Sequence, residues 1–100
     1  MRVKWTIGAR EDLVELVRVI AEDNPPAARR TSMKLRARSR DLSRFPEMGR
    51  MVPEIKDEMI RELVTPPYRL IYRVGPDVLE VLAVVHSRQD LMTTRAFSEP

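Results

Sequence analysis

Between Tyr68 and Val74 the side chains alternate, with Tyr68, Leu70, Tyr72 and Val74 on one face and Arg69, Ile71 and Arg73 on the other. That two-residue period predicts a strand. Gly75, Pro76 and Asp77 follow with turn chemistry: glycine tolerates positive φ, proline fixes φ, and aspartate bonds nearby amides, so a tight hairpin is expected. The second arm, Val78 to His86, is apolar on both faces apart from Glu80, which suits an interior strand covered on both sides. Near the start, Val3, Trp5 and Ile7 alternate with Arg2, Lys4 and Thr6, predicting a short half-buried strand closed by Gly8. The period then changes. Ala9, Leu13, Leu16, Val17 and Ile20 form the stripe of an amphipathic helix, with Glu11 and Asp12 in its first turn, where acids complement the helix dipole.

Asp23, Asn24, Pro25 and Pro26 stop this helix and start another, because proline cannot continue a helix but fits its first turn. The second helix, Pro26 to Ser43, has Ala28, Leu35 and Leu42 seven apart with Thr31, Ser32 and Ser39 between them. So narrow a seam, lined by small side chains, suits an α-hairpin that leaves a broad basic face in water. FPEMGRMVPE, from Phe45 to Glu54, reads as a turn leading into an extended piece at Arg50 to Val52. A loop from Pro53 to Glu58, a strand from Ile60 to Val64 and a helical turn near Leu91 and Met92 complete the chain. The order is βαα followed by three or four antiparallel strands, an α+β fold with the helical pair on one face of the sheet.

Composition narrows the function. One hundred residues, 43% of them hydrophobic, make a single domain over 1–100. There is no cysteine and one histidine, so no zinc or iron set, and with three glycines no phosphate loop; no metal or cofactor is expected. The first ten residues contain no apolar run, and no stretch is long enough to span a bilayer, so a cytoplasmic protein without a membrane partner is expected. Net charge is +3, yet residues 29–50 hold eight basic against two acidic side chains. A field concentrated on one element favours acidic or polyanionic partners.

Taken in order, VKWT, AREDLVEL, DNPPAA, FPEMGRMVPE, REL, YRLIYRV and VVHSRQDL make a pattern covering nearly the whole chain. This pattern resembles the RelE/ParE superfamily of toxins from type II toxin–antitoxin systems, closer to the ParE-like branch. The resemblance implies a small toxin held inactive by an antitoxin whose C-terminal segment wraps it, operator DNA being contacted only through that antitoxin. RelE-like members cleave messenger RNA in the ribosomal A site, whereas ParE-like members block DNA gyrase. Both targets are carried forward, with growth arrest and plasmid stabilisation as the implied roles.

Cleaving RNA through its 2′-hydroxyl needs a base, cationic donors for the phosphorane and an acid for the leaving oxygen. Donors are plentiful. Arg69 matches the arginine of the family's YRxxY strand, Arg88 aligns with the phosphate-binding arginine of RelE-like nucleases, and Arg73 adds a third charge. Together with Arg61 these are the expected target- or phosphate-binding residues. Acid and base match poorly: one lysine, Lys56, stands where RelE-like enzymes have two, and Thr94 falls near the expected tyrosine. His86, with Glu54 or Glu58, could replace them, so Arg69, Arg73, His86 and Arg88 form the nuclease set if there is one. Arg69 and Arg73 also have Glu62 and Glu80 available as cross-strand partners. Binding without catalysis is therefore favoured over an enzyme. Arg29, Arg36 and Arg40 are assigned to the antitoxin, and a basic helix contacting nucleic acid directly is the third alternative.

Overall fold

The computed structural model describes residues 1–94, 96 and 97. Its elements run β1 (Arg2–Trp5), α1 (Ile7–Asp23), α2 (Pro25–Asp41), β2 (Arg50–Met51), β3 (Ile60–Thr65), β4 (Tyr68–Val74), β5 (Val78–His86) and a 3-10 turn at Leu91–Thr93. The five strands lie in the order β1-β5-β4-β3-β2. β1 pairs parallel with β5, Arg2 beside Val78 and Trp5 beside Val81, and the remaining pairings are antiparallel. The expected α+β arrangement is observed. α2 packs against α1, and α1 lies over β5.

Two local expectations are corrected. β1 ends before Thr6, not at Gly8, because the Thr6 hydroxyl accepts the Ala9 amide at 3.0 Å and caps a helix that already includes Ile7 and Gly8. Glu11 and Asp12 consequently fall in the second turn. There Asp12 serves the sheet: its Oδ2 accepts the Val84 amide at 3.0 Å, on the part of β5 that β1 does not reach. At the hairpin, Gly75 does not adopt positive φ. Its requirement is space, since a Cβ there would stand 2.7 Å from the Val78 carbonyl oxygen.

Both faces of the sheet are covered. On the helix side Ala9, Leu42, Leu63, Leu70, Tyr72, Leu79 and Val81 are buried together, flanked by Leu13, Leu35 and Val84, with Trp5 packed against both groups. On the other side Val52, Ile60, Ile71, Ala83, Val85 and Leu91 form a second core, against which Ile55 and Phe97 pack. Irregular segments cover this second core where helices cover the first.

One irregularity decides which residues meet. Ile71 stands opposite Ala83 but Tyr72 opposite Val81, so Leu82 has no partner on β4 and β5 is bulged. The bulge is held from the cap residue between β1 and α1: the Thr6 amide donates to the Val81 carbonyl at 3.0 Å and its hydroxyl to the Leu82 carbonyl at 3.3 Å. Inserting one residue exchanges the faces beyond it. Leu79 and Val81 therefore face the helices before the bulge, as Val84 does after it. His86, beside Tyr68, is carried to the helix side as well.

The Thr65 hydroxyl is the one side-chain polar atom among the described residues that is fully buried without a hydrogen-bond partner. Thr65→Val keeps the shape and removes the orphan. We expect it to raise unfolding free energy by about 1 kcal/mol, read as a higher urea midpoint with unchanged slope.

Candidate functional site

Arg69 projects from β4 onto the face away from the helices, and only 8% of it is exposed. Burying a guanidinium requires compensation. Nε donates to Glu62 Oε1, while Nη1 and Nη2 engage both oxygens of Glu54 at 2.9 and 2.8 Å in a two-pronged pair. Glu62, whose side chain is 0% exposed, also accepts from Arg50 Nε. The result is an alternating chain Arg50–Glu62–Arg69–Glu54 that joins β2, β3, β4 and the loop after β2.

Tyr72 anchors the same region from the opposite face. Its hydroxyl donates to the Pro46 carbonyl at 2.8 Å and accepts the Gly49 amide at 3.0 Å. Burial pushes its pKa upward, so the ring stays a neutral phenol that holds a loop. Arg61 shares this side of the sheet and donates to the Gly49 carbonyl at 2.8 Å.

The expected site residues are spread out. Arg69 lies in its carboxylate cage, Arg61 ties down Gly49, and Arg73 is half-exposed, 3.9 Å from Asp57. Arg88 is exposed in the turn after β5, and its backbone amide donates to His86 Nδ1 at 3.1 Å. With Nδ1 accepting, the neutral imidazole carries its proton on Nε2. His86 meets Tyr68 edge to face at 5.7 Å, on the side of the sheet opposite Arg69. Of the nuclease set, Arg73 and His86 line one groove of about 770 Å³, which wraps round the part of β5 beyond the end of β1 and is rimmed by Glu11, Asp12 and Glu15 of α1. Glu58 and Lys56 are exposed in the β2–β3 loop, and Thr94 is buried with its hydroxyl donating to the Leu91 carbonyl at 2.7 Å.

Arg36 and Arg40 meet Arg10 around a second groove, between α1 and α2, whereas Arg29 is exposed near the start of α2. Sequence reasoning offered Glu62 as a partner for Arg69 and missed the larger contribution of Glu54. Glu54 comes from an irregular loop, so no period aims it at the sheet. Among the described residues, no group of three metal-ligating side chains converges.

Arg69 holds the Glu54 carboxyl below the ordinary glutamate value of 4.5, with burial partly opposing it. A carboxylate whose folded pKa is depressed adds stability above its unfolded pKa and loses it as pH falls through the folded value. Acid should therefore loosen the β2–β3 loop. We expect Glu54→Gln to flatten the decline in thermal midpoint below about pH 4.5, measured against the wild-type chain by calorimetry across acid pH.

Comparison with known proteins places this geometry. Residues 3–91 match the family model described as the ParE toxin of the type II toxin–antitoxin system parDE. Toxin RelE2 of Caulobacter vibrioides is 29% identical over 86 residues, covering 86% of this chain and 94% of that protein. The candidate toxin Y4kP of Sinorhizobium fredii is 34% identical over 88 residues, covering 88% and 90%. A structure of a chromosomal ParDE system from P. aeruginosa has the same fold, with a TM-score of 0.74 at 20% identity over 86% of this chain and 95% of that one. A caged arginine under a bulged sheet, with two helices above, is thus one version of a shared toxin fold, and the chain belongs to the ParE toxin family of type II toxin–antitoxin systems.

Proposed function

We propose that this toxin acts by holding a large target, DNA gyrase, and not by cutting RNA, and that a cognate antitoxin neutralises it. One observation carries the preference. The arginine best matched to phosphate chemistry, Arg69, is buried between Glu54 and Glu62 on the face opposite His86. In His86 the Nδ1 lone pair is taken by the Arg88 amide, which leaves the proton of the neutral imidazole on Nε2. Transferring a proton from a 2′-hydroxyl needs an open acceptor within reach of the phosphate's cationic donors. These residues supply permanent charge without that acceptor, which supports binding.

Induced expression should arrest growth, coexpression of the partner should relieve it, and purified protein should inhibit supercoiling by gyrase. Untouched supercoiling at saturating protein rejects the gyrase assignment. Cuts mapped by primer extension on translated messages would transfer the role to a ribosome-dependent endoribonuclease, in which Arg73 and His86 would act from the groove beside β5 and Arg88 from the turn after it.

A further inference from the structure

We propose that the free chain associates with a second copy of itself head to tail, the outer flank of α2 from one copy entering the groove beside β5 on the next. The two helices carry opposite charge: α1 holds five acidic against two basic side chains, and α2 six basic against one acidic. On the flank that faces α2, α1 shows Arg10, Leu13 and Val14, whereas Glu11, Asp12 and Glu15 lie on its other flank and rim the groove of about 770 Å³. Leu16, Leu82, Val84 and the Tyr68 ring give that groove apolar walls, and Ile7, which also lines it, is 77% exposed. Arg73, at the same groove, stands 3.9 Å from Asp57. An occupant therefore meets apolar walls under an acidic rim.

α2 offers a matching shape of the opposite sign. Met33, 68% exposed, and Ala37 one turn later stand on its outer flank, with Arg29 and Arg30 one turn before the thioether and Lys34 beside it. Among the described residues none of these three cations is in an ion pair. Arg30 and Lys34 stand four apart, the spacing at which like charges on a helix repel, so a rim of carboxylates laid across them relieves that repulsion. An unbranched thioether adapts its shape to an irregular apolar wall. Nucleic acid would meet the cations but gives no apolar seat to Met33, and a small cation would meet the acidic rim but leave the apolar walls uncovered. A second copy satisfies both surfaces at once. Arg36 and Arg40 take no part, since they face the groove between the helices.

The two surfaces belong to different parts of one chain, so the contact is heterologous: each pair leaves one flank and one groove unfilled, and growth continues beyond two copies. A contact made through one helix flank falls at the small end of interface sizes, so association should be weak and rise with concentration. Sedimentation velocity and light scattering on the purified full-length chain test this, whatever the toxin's target. The mass should climb past that of a dimer as the protein is concentrated and fall as salt is raised. Arg30→Gln with Met33→Gln removes the flank, and Ile7→Lys with Glu15→Lys closes the groove. All four positions are exposed, and circular dichroism checks that the variants fold. Each variant alone should associate about tenfold or more weakly than the wild type. Mixed in equal amounts, the two variants should form a dimer and stop there, because the one usable flank meets the one usable groove. A wild-type chain that stays monomeric, a variant that associates like the wild type, or a mixture that stays monomeric or grows past two copies overturns the proposal. So does a mass increase traced to nucleic acid, by its loss on nuclease treatment, or to a second, co-purified polypeptide.

Discussion

Arg69→Ala should lower unfolding free energy by about 3 kcal/mol or more, a large share of the roughly 5–15 kcal/mol typical of a domain. Alanine would leave Glu62, fully buried, with the exposed Arg50 as its remaining ion-pair partner, and would release Glu54 from the sheet. Removing Glu62 should cost less, because Arg69 keeps its two-pronged pair with Glu54. Lysine is no remedy, since it cannot reproduce the planar fork. Replacing both buried charges, as in Arg69→Met with Glu62→Leu, should recover most of the loss, because apolar packing often equals or exceeds a buried ion pair. Urea denaturation of the three variants checks this order. An Arg69→Ala protein as stable as the wild type would show that the cage contributes nothing net. The double variant also separates structure from action: restored stability with restored growth arrest makes the guanidinium a support, whereas restored stability without arrest gives it a place in target contact.

Gly49→Ala is expected to be nearly as damaging, for a different reason. A Cβ at this position would lie 2.4 Å from the Glu62 carbonyl oxygen and 2.7 Å from the Tyr72 hydroxyl. The first obstacle is backbone of a central pairing, so it cannot swing aside as a side chain would. Overpacking of this kind costs about 1–3 kcal/mol. Any shift also pulls the Gly49 amide off Tyr72 and the Gly49 carbonyl off Arg61. A total near 2–4 kcal/mol follows if one buried bond is lost as well. Tyr72→Phe on its own should cost less, because it removes the hydroxyl without moving β3. Thermal melts of both variants test the ranking, and equal midpoints for Gly49→Ala and wild type would mean that the segment before β2 moves away at no cost.

Much of the fold was legible where a period is clean. β4 and β5 begin and end where alternation and turn residues put them, and the seam of Ala28, Leu35 and Leu42 is buried as its spacing implies. Two features were not legible. The place of β1 beside β5 is a choice of sheet edge, and no local residue encodes it. The bulge at Leu82 is hidden because β5 is apolar on both faces, so a shift of one residue changes no hydrophobic pattern. That same shift sets His86 apart from Arg69, which is why the sequence could bring together residues that the fold separates. Arg69 with Glu62 could be read from register, since Val64 stands opposite Arg69 and Glu62 lies two residues along the same face. The Glu54 contribution could not be read, because a loop has no period.

The two covers of the sheet differ in how they are fastened. Above, two helices of 17 residues carry their own hydrogen bonds. Below, the cover consists of Val52 and Ile55 from the β2–β3 loop, which Glu54 tethers to Arg69, together with Leu91 and Phe97 from the segment after β5. A cover with little backbone bonding of its own opens locally at low free-energy cost. Amide hydrogens around Ile55 should therefore exchange with solvent long before those of Leu70 or Val81, giving a molecule that breathes from its underside while its upper half stays closed.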